Sequence, residues 1–305
     1  MNASIIVCSY NRADSLSDTL AALKAQVTRE LSWEIIIVDN NSSDHTKLIV
    51  ESAKAGDIPI TYAFEPQQGL SFARNKGIAM AHGDIILFTD DDVCPAQDWL
   101  QTIINGMNDT NCAACGGYIE PIWQSQPPHW LTEKFHGFLA IKMDETGPKA
   151  ITQVDATPYG ANMAFRREIF SKYGEFDVGR GRKGGNLASG EDDEMFQRIF
   201  QAGDSIMYFP AARVKHKVES FRLKKSYFRR WRFQTSRNIA MTVGVPGSRR
   251  ILGVPPYLLP QAARAISKAA IGYITLPPDD AFRQEITAWH FIGVINGLLR
   301  KWMKR

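Results

Sequence analysis

None of the strand-like runs in this chain of 305 residues ends in a glycine-rich phosphate loop, neither GxGxxG nor GxxxxGK[ST]. A dinucleotide oxidoreductase and a P-loop kinase both need such a loop to bring backbone N–H groups against phosphate, so both classes are set aside. Cysteine is scarce: Cys8, Cys94, Cys112 and Cys115 are the four, and only the last two form a CxxC pair. One such pair, with apolar neighbours and no second pair or histidine cluster, fits buried thiols better than zinc. The chain reads as reduced and cytosolic. No basic segment precedes the first strand-like run, so no secretory leader is expected. No internal repeat period is visible, and 44% hydrophobic with 22% charged residues describes an ordinary globular protein.

Acidic residues are also missing from the end of the chain. Residues 213–305 hold four Asp and Glu against 19 Lys and Arg, whereas residues 1–212 hold 28 against 17. An acidic body (1–212) with a basic attachment (213–305) follows, and the partner of the attachment is anionic and external, phospholipid or nucleic acid.

What is present in the body is a βαβ rhythm. Ser4 to Cys8 and Glu34 to Val38 are β-branched runs suited to buried parallel strands, each followed by a polar loop and a helical stretch. Further strands over about 58–64 and 84–89, with helices over about 14–26 and 70–81, make a doubly wound α/β sheet the expected fold. Ligands of such sheets bind beyond the carboxyl ends of the strands. There this sequence places Ser9, Tyr10, Asn11 and Arg12 after the first strand, Asp39 after the second, and Asp90, Asp91 and Asp92 after the fourth. The aromatic stretch through Trp123, Trp130, Phe135 and Phe138 suits a substrate-facing region. The glycine-rich loop from Gly174 to Gly190 suits a segment that orders around a ligand.

Three consecutive aspartates repel one another unless a cation relieves them, which points to a divalent metal, although a solvated acidic turn reads the same way. In an extended segment Asp90 and Asp92 project to one side about 7 Å apart, so one can hold a metal and the other a hydroxyl. Mg²⁺ and Mn²⁺ take one or two carboxylates and complete their shell with phosphate and water. Glu191 to Glu194 open a helix, where acidic residues are favoured by the helix dipole and often do nothing else. His216 alone is as readily a packed residue as a ligand. Asp39 can simply end its strand, and Arg74 can be one charge on a helix.

Taken in order, Ser4–Arg12, Ile35–Asp44, Ala73-Arg74-Asn75, Phe88–Asp92, Gly160–Arg167, Gly190–Glu194 and Val214-Lys215-His216 resemble the successive blocks of the family 2 glycosyltransferases with a GT-A fold. Single blocks are weak signals; seven in order across about residues 4 to 216 are specific. The resemblance implies a nucleotide-sugar half over about 1–95 and an acceptor half over about 96–212. It implies that Asp39 and Arg74 contact the base of a nucleoside diphosphate sugar and that the Ser9–Arg12 loop closes over the nucleoside. Asp90 and Asp92 match the DxD pair, Asp90 near the ribose and Asp92 on Mn²⁺ or Mg²⁺, with Asp91 in the variable position. Asp192 matches the catalytic base with Glu191 beside it as the alternative, and His216 matches a histidine that completes the metal shell in some members.

The chemistry suits those residue types. A departing nucleoside diphosphate needs a cation, and an acceptor hydroxyl needs a carboxylate to take its proton. The expectation is an inverting transfer from a UDP-sugar to a polysaccharide, glycolipid or other cell-surface glycan. A sugar nucleotidyltransferase and a catalytically silent nucleotide-sugar or glycan-binding protein are the alternatives.

In the basic region ten Lys and Arg between Arg213 and Arg237 are interleaved with aromatics. Pro260 to Thr275 carries Gln261, Arg264, Lys268 and Thr275 near one helical face, with Ala263, Ile266, Ala270, Ile271 and Ile274 elsewhere. Ile286 to Leu299 runs 14 residues without a charged side chain, short of the about 20 that a spanning helix needs. Interfacial helices on an anionic leaflet of the cytoplasmic membrane are expected rather than nucleic-acid binding; packing on the catalytic domain and a homodimer contact are the alternatives.

Overall fold

The computed structural model describes residues 1–153, 157–187, 189–247 and 249–304. Two compact units divide them. The first comprises Met1–Ile122, Ala140–Val178 and Glu191–Lys217, the second Trp123–Leu139, Gly179–Gly190 and Val218–Arg305. In place of one seam after Ala212, the chain passes between the units several times.

The first unit is built on a mixed sheet. Among the described residues nine strands form it: β1 (Ala3–Ser9), β2 (Trp33–Asp39), β3 (Ile60–Phe64), β4 (Ile85–Asp90), β5 (Val93–Pro95), β6 (Ala114–Trp123), β7 (Lys149–Ala150), β8 (Met163–Arg166) and β9 (Ile206–Val218). The order is β3-β2-β1-β4-β8-β6-β9-β5, with β7 alongside β9. β1, β2, β3 and β4 are mutually parallel where they pair, and β8 joins β4 antiparallel. Parallel strands lie between helical layers, which is why β2 is buried at every position and β1 at all but Cys8.

The alternation of each strand feeds two cores. Ile5, Val7, Ile35 and Ile37 join Leu16, Leu20 and Leu23 of α1 (Ala13–Lys24) and Trp99, Ile103 and Met107 of α4 (Trp99–Thr110). Ile6, Ile36, Val38 and Phe88 join Ala73 of α3 (Leu70–Met80), Phe165, Phe170 of α5 (Glu168–Tyr173) and Phe196 of α6 (Glu191–Gln201). The remaining helix of this unit, α2, covers Thr46–Ala53. Cys112 and Cys115 are buried free thiols, with burial raising both pKa values.

The second unit contains α7 (Lys225–Thr242), α8 (Leu258–Thr275) and α9 (Pro278–Met303). α9 lies hard against α7 because Gly293 and Gly297 sit one turn apart on the shared face; a Cβ at Gly293 would come within 2.6 Å of the Phe233 carbonyl. Trp130 packs edge-on against Phe228 and Phe282 at 5.2 and 4.9 Å, and Phe138 meets Trp231 at 4.8 Å, so the half-buried Trp130 and Phe138 pack on the helical unit, and of Trp123, Trp130, Phe135 and Phe138 Phe135 alone is fully buried. The uncharged stretch from Ile286 to Leu299 likewise turns Ile286, Ala288, Val294 and Leu298 inward.

The glycine-rich loop is also held more firmly than its composition suggests. Gln234 of α7 accepts the Leu187 N–H at 2.7 Å, and Arg230 donates to the Gly185 carbonyl at 2.8 Å. Ala188 within it lies outside the described residues. Its Gly179, Gly181 and Gly184 have the GxGxxG spacing but follow no strand, so they form no dinucleotide loop.

Candidate active site

Strand register brings the polar residues of the first unit to one edge. Ser9 stands opposite Asp39 and Cys8 opposite Asp90, so the ends of β1, β2 and β4 form a row. β5 then pairs with β9, Val93 opposite His216, which carries His216 to the aspartates from more than a hundred residues away. The row is stitched by its loops. Asn11 takes a left-handed φ of 52°, a conformation that asparagine tolerates, and its Oδ1 accepts the Ser43 N–H at 2.7 Å. Asp44 accepts the Ala13 N–H at 3.0 Å, capping α1 from the neighbouring loop.

Asp91 and Asp92 are each 6% exposed and His216 2%. Arg12 donates from Nη1 to Asp92 Oδ2 at 2.6 Å and stands 3.7 Å from Asp91 Oδ1, while His216 Nε2 is 3.4 Å from Asp92 Oδ1. Burial, then the neighbouring Asp92 charge, pushes the Asp91 pKa up to about 7, although Arg12 opposes this. Among the described residues no three His, Cys, Asp or Glu side chains form a ready-made metal cage. The donor set nevertheless fits Mn²⁺ or Mg²⁺: a carboxylate and an imidazole already face each other, a guanidinium holds the position of a cation, and such ions leave the rest of their shell to phosphate and water.

A second acidic pair arrives from α6. Glu191 Oε1 accepts Arg74 Nη1 at 2.9 Å, with side-chain exposures of 5% and 3%. Burial acts to lower the Arg74 pKa, but Glu191, Asp192 and Asp90 outweigh it and hold it above the ordinary value. One guanidinium therefore stands within the fields of the β4 terminus and of the first turn of α6. Gly160 approaches so closely that a Cβ there would fall on the Arg74 guanidinium, and its N–H donates to Asp192 Oδ2 at 3.0 Å. Thr89, one residue before Asp90, donates to the Ala161 carbonyl at 2.9 Å. These bonds tie β4, the 157–162 segment and α6 into one wall.

The expected site residues take distinct positions in this wall. Asp90 is half-buried at the strand end, Asp192 half-buried at the helix start, and Tyr10 and Asn11 are exposed at the rim. Asp39 is buried and already accepts the Ser42 N–H at 2.8 Å and the Tyr62 hydroxyl at 2.8 Å. Arg74 is not the exposed helical charge that its sequence context allows; it is a buried counter-ion of Glu191. Ser9 lies beside Asp91.

Two residues of the site escaped the sequence reading. Tyr159, whose pKa is pushed up to about 12 by burial and then by Asp193 and Asp192, stands next to the candidate base. Asn162 is fully buried and bonds Trp99 at 2.9 Å and the Tyr118 and Ala212 carbonyls at 3.1 and 2.9 Å, so it braces β6 and β9 behind the site. The Gly160–Arg167 block takes in Asn162 and stops one residue short of Tyr159.

An α/β unit with acidic strand ends and an acidic helix start on one wall has close counterparts. The model of glycosyl transferase family 2 matches residues 4–174, and the chain belongs to this family and is a glycosyltransferase. Among relatives, a glucosyl-dolichyl phosphate glucuronosyltransferase of Haloferax volcanii is 29% identical over 73% of this chain and 71% of its own length. The succinoglycan biosynthesis protein ExoM of Rhizobium meliloti is 28% identical over 77% and 73%. A mannosyltransferase of Pyrobaculum calidifontis, solved with GDP-Man and Mn²⁺, superposes with a TM-score of 0.63 at 19% identity, covering 98% of this chain and 88% of its own. That likeness shows the GT-A fold.

Proposed function

We propose that this glycosyltransferase is inverting and metal-dependent, and that it moves a sugar from a UDP-sugar to a hydroxyl of a polysaccharide, glycolipid or other cell-surface glycan. The observation that carries the reading is the convergence on Arg74: Asp90 ends β4, Asp192 opens α6, and both act on one buried guanidinium. One named relative is a glucosyl-dolichyl phosphate glucuronosyltransferase and the other a succinoglycan biosynthesis protein, which supports a lipid-linked or polysaccharide acceptor.

In this mechanism Asp192 is the base. Its Oδ2 accepts the Gly160 N–H and its Oδ1 the Asp193 N–H, both at 3.0 Å, so its plane is fixed while each oxygen keeps a lone pair for an incoming hydroxyl. A positioned base of this kind contributes typically about 10²–10⁴-fold. Glu191, held by Arg74, positions the turn and touches no substrate.

Asp92 and His216 would hold the divalent ion, with Asp90 toward the ribose and Asp91 beside it. When bound, that ion supplies Lewis-acid neutralisation of the leaving diphosphate. Arg12, now on Asp92, would turn to the pyrophosphate, and Ser9 to Asn11 would close over the nucleoside with Asp39 and Tyr62 at the base. One base on the face opposite the leaving group gives single displacement, hence inversion.

We place the protein at the cytoplasmic face of an anionic membrane, bound peripherally through its basic region; among the described residues no helix is long and apolar enough to cross. The test of the chemistry is a panel of UDP-, GDP- and dTDP-sugars with manganese, scored by nucleotide release with and without chelator. Chelator-sensitive release from UDP-sugars alone is expected. Tight nucleotide-sugar binding with no release under any condition would make the protein a silent binder, and the transferase mechanism would fail.

A further inference from the structure

α8 is built inside out for a helix that packs in water. The residues it turns toward the helical unit are small, Ala262, Ala265, Ala269 and Gly272, with Leu258 at the start. Its large apolar residues face away: Leu259, Ile266, Ile271 and Ile274 are 53, 49, 59 and 88% exposed. A soluble amphipathic helix places them the other way round, because burying Leu and Ile is what drives its packing.

All of these outward residues but Ile271, which lies on the side of Arg264 and Lys268, fall on one line. Positions 259, 263, 266, 270 and 274 follow the i, i+4, i+7 spacing of one stripe, filled by Leu, Ala, Ile, Ala and Ile. Arg264 and Lys268, one turn apart and both exposed, lie off this stripe on another side of the helix. Exposed Ile251, Leu252 and Tyr257 precede it, next to exposed Arg249 and Arg250. Between residues 220 and 278 there are eleven Lys and Arg and no Asp or Glu.

We infer that the Leu259–Ile274 stripe of α8 is the surface by which this protein seats on an anionic bilayer, the apolar residues entering the acyl boundary and Arg264 and Lys268 meeting lipid phosphates. Charge selects this occupant over a second copy of the chain. A second copy would bring the same run from 220 to 278, eleven Lys and Arg with no carboxylate, toward its like, and like charges repel. An anionic headgroup layer satisfies both parts of the surface at once. The inference deepens the peripheral placement proposed above and is independent of the transfer chemistry.

The test uses the full chain and vesicles of phosphatidylcholine with or without phosphatidylglycerol, scored by sedimentation. The parent binds the anionic vesicles and not the neutral ones. Ile266→Ser with Ile274→Ser weakens that binding by roughly tenfold or more, and Arg264→Gln with Lys268→Gln removes the preference for anionic lipid. An environment-sensitive dye on Ile274→Cys shifts to the blue when anionic vesicles are added. Each variant keeps metal-dependent nucleotide release in vesicle-free buffer, which shows it folded and separates failure here from failure of the transferase reading. Unchanged sedimentation of the isoleucine variant, or a silent dye, overturns the inference. So does a parent that sizes as a dimer which the isoleucine changes dissociate, since the stripe would then be a contact between copies.

Discussion

The Arg74–Glu191 pair lets two adjacent carboxylates be told apart by experiment. Both side chains are almost fully buried and bonded at 2.9 Å. Removing one member of such a pair typically costs about 3–5 kcal/mol, because the other is left as an uncompensated buried charge, whereas removing both can be nearly neutral. The surroundings predict an asymmetry. Glu191→Gln leaves Arg74 with Asp192 and Asp90 still nearby, so the cost falls toward about 3 kcal/mol. Arg74→Met takes the guanidinium from a buried carboxylate that stands beside Asp192, and should cost nearer 5 kcal/mol. The double variant should recover at least about 2 kcal/mol of the summed cost.

Hydrogen exchange of the β1 and β4 amides is the suitable assay, since it reports opening of the sheet unit alone in a chain with two compact units. Single variants that shift those opening free energies by less than about 1 kcal/mol, or costs that simply add in the double variant, would refute the counter-ion reasoning. A Glu191→Gln protein as stable as the parent yet unable to transfer would instead move the base from Asp192 to Glu191.

Asp192→Asn should lower kcat by about 10²–10⁴-fold while leaving donor affinity and β4 exchange unchanged, as checked by single-turnover kinetics and a nucleotide titration. Asp92→Asn should weaken Mn²⁺ binding in a paramagnetic titration of the donor-free protein. Arg12→Met should strengthen it, because the ion would no longer compete with a guanidinium 2.6 Å from the same carboxylate; equal affinities in all three proteins would reassign the metal position. His290 in α9 bonds Ser236 at 2.9 Å, and burial, then the Arg232 charge, pushes its pKa down to about 4. Unfolded chains therefore hold the extra proton between about pH 6.5 and 4, so stability of the helical unit should fall as pH drops through that window. The loss is at most about 3 kcal/mol before solvent screening of the part-exposed ring. Thermal melts of His290→Phe should lack that slope.

Legibility in the sequence followed the range of the interaction that fixes each element. Parallel strands announce themselves locally, because Ile5 to Val7 and Ile35 to Val38 have no solvent face to alternate with, and the polar residues at their ends had to be the ligand edge. The seven blocks were readable for the same reason: each is a short segment whose own residues end a strand or open a helix. What sequence could not supply was partnership across distance. Arg74 and Glu191 are 117 positions apart, and nothing in either helix says that one charge buries the other. Arg12 meets Asp92 across 80 positions. The packing of Trp130 and Phe138 was hidden on the same ground: their partners Phe228, Trp231 and Phe282 lie far downstream, and a cluster of aromatics packs as readily as it binds until its neighbours are known. α8 is the instructive middle case. Its polar side, with Gln261, Arg264 and Lys268, is visible in the periodicity, but periodicity weighs Ala and Ile alike as apolar. Only packing separates them, sending Ala262, Ala265 and Ala269 in and the isoleucines out, and that inversion is what gives the helix a surface to offer.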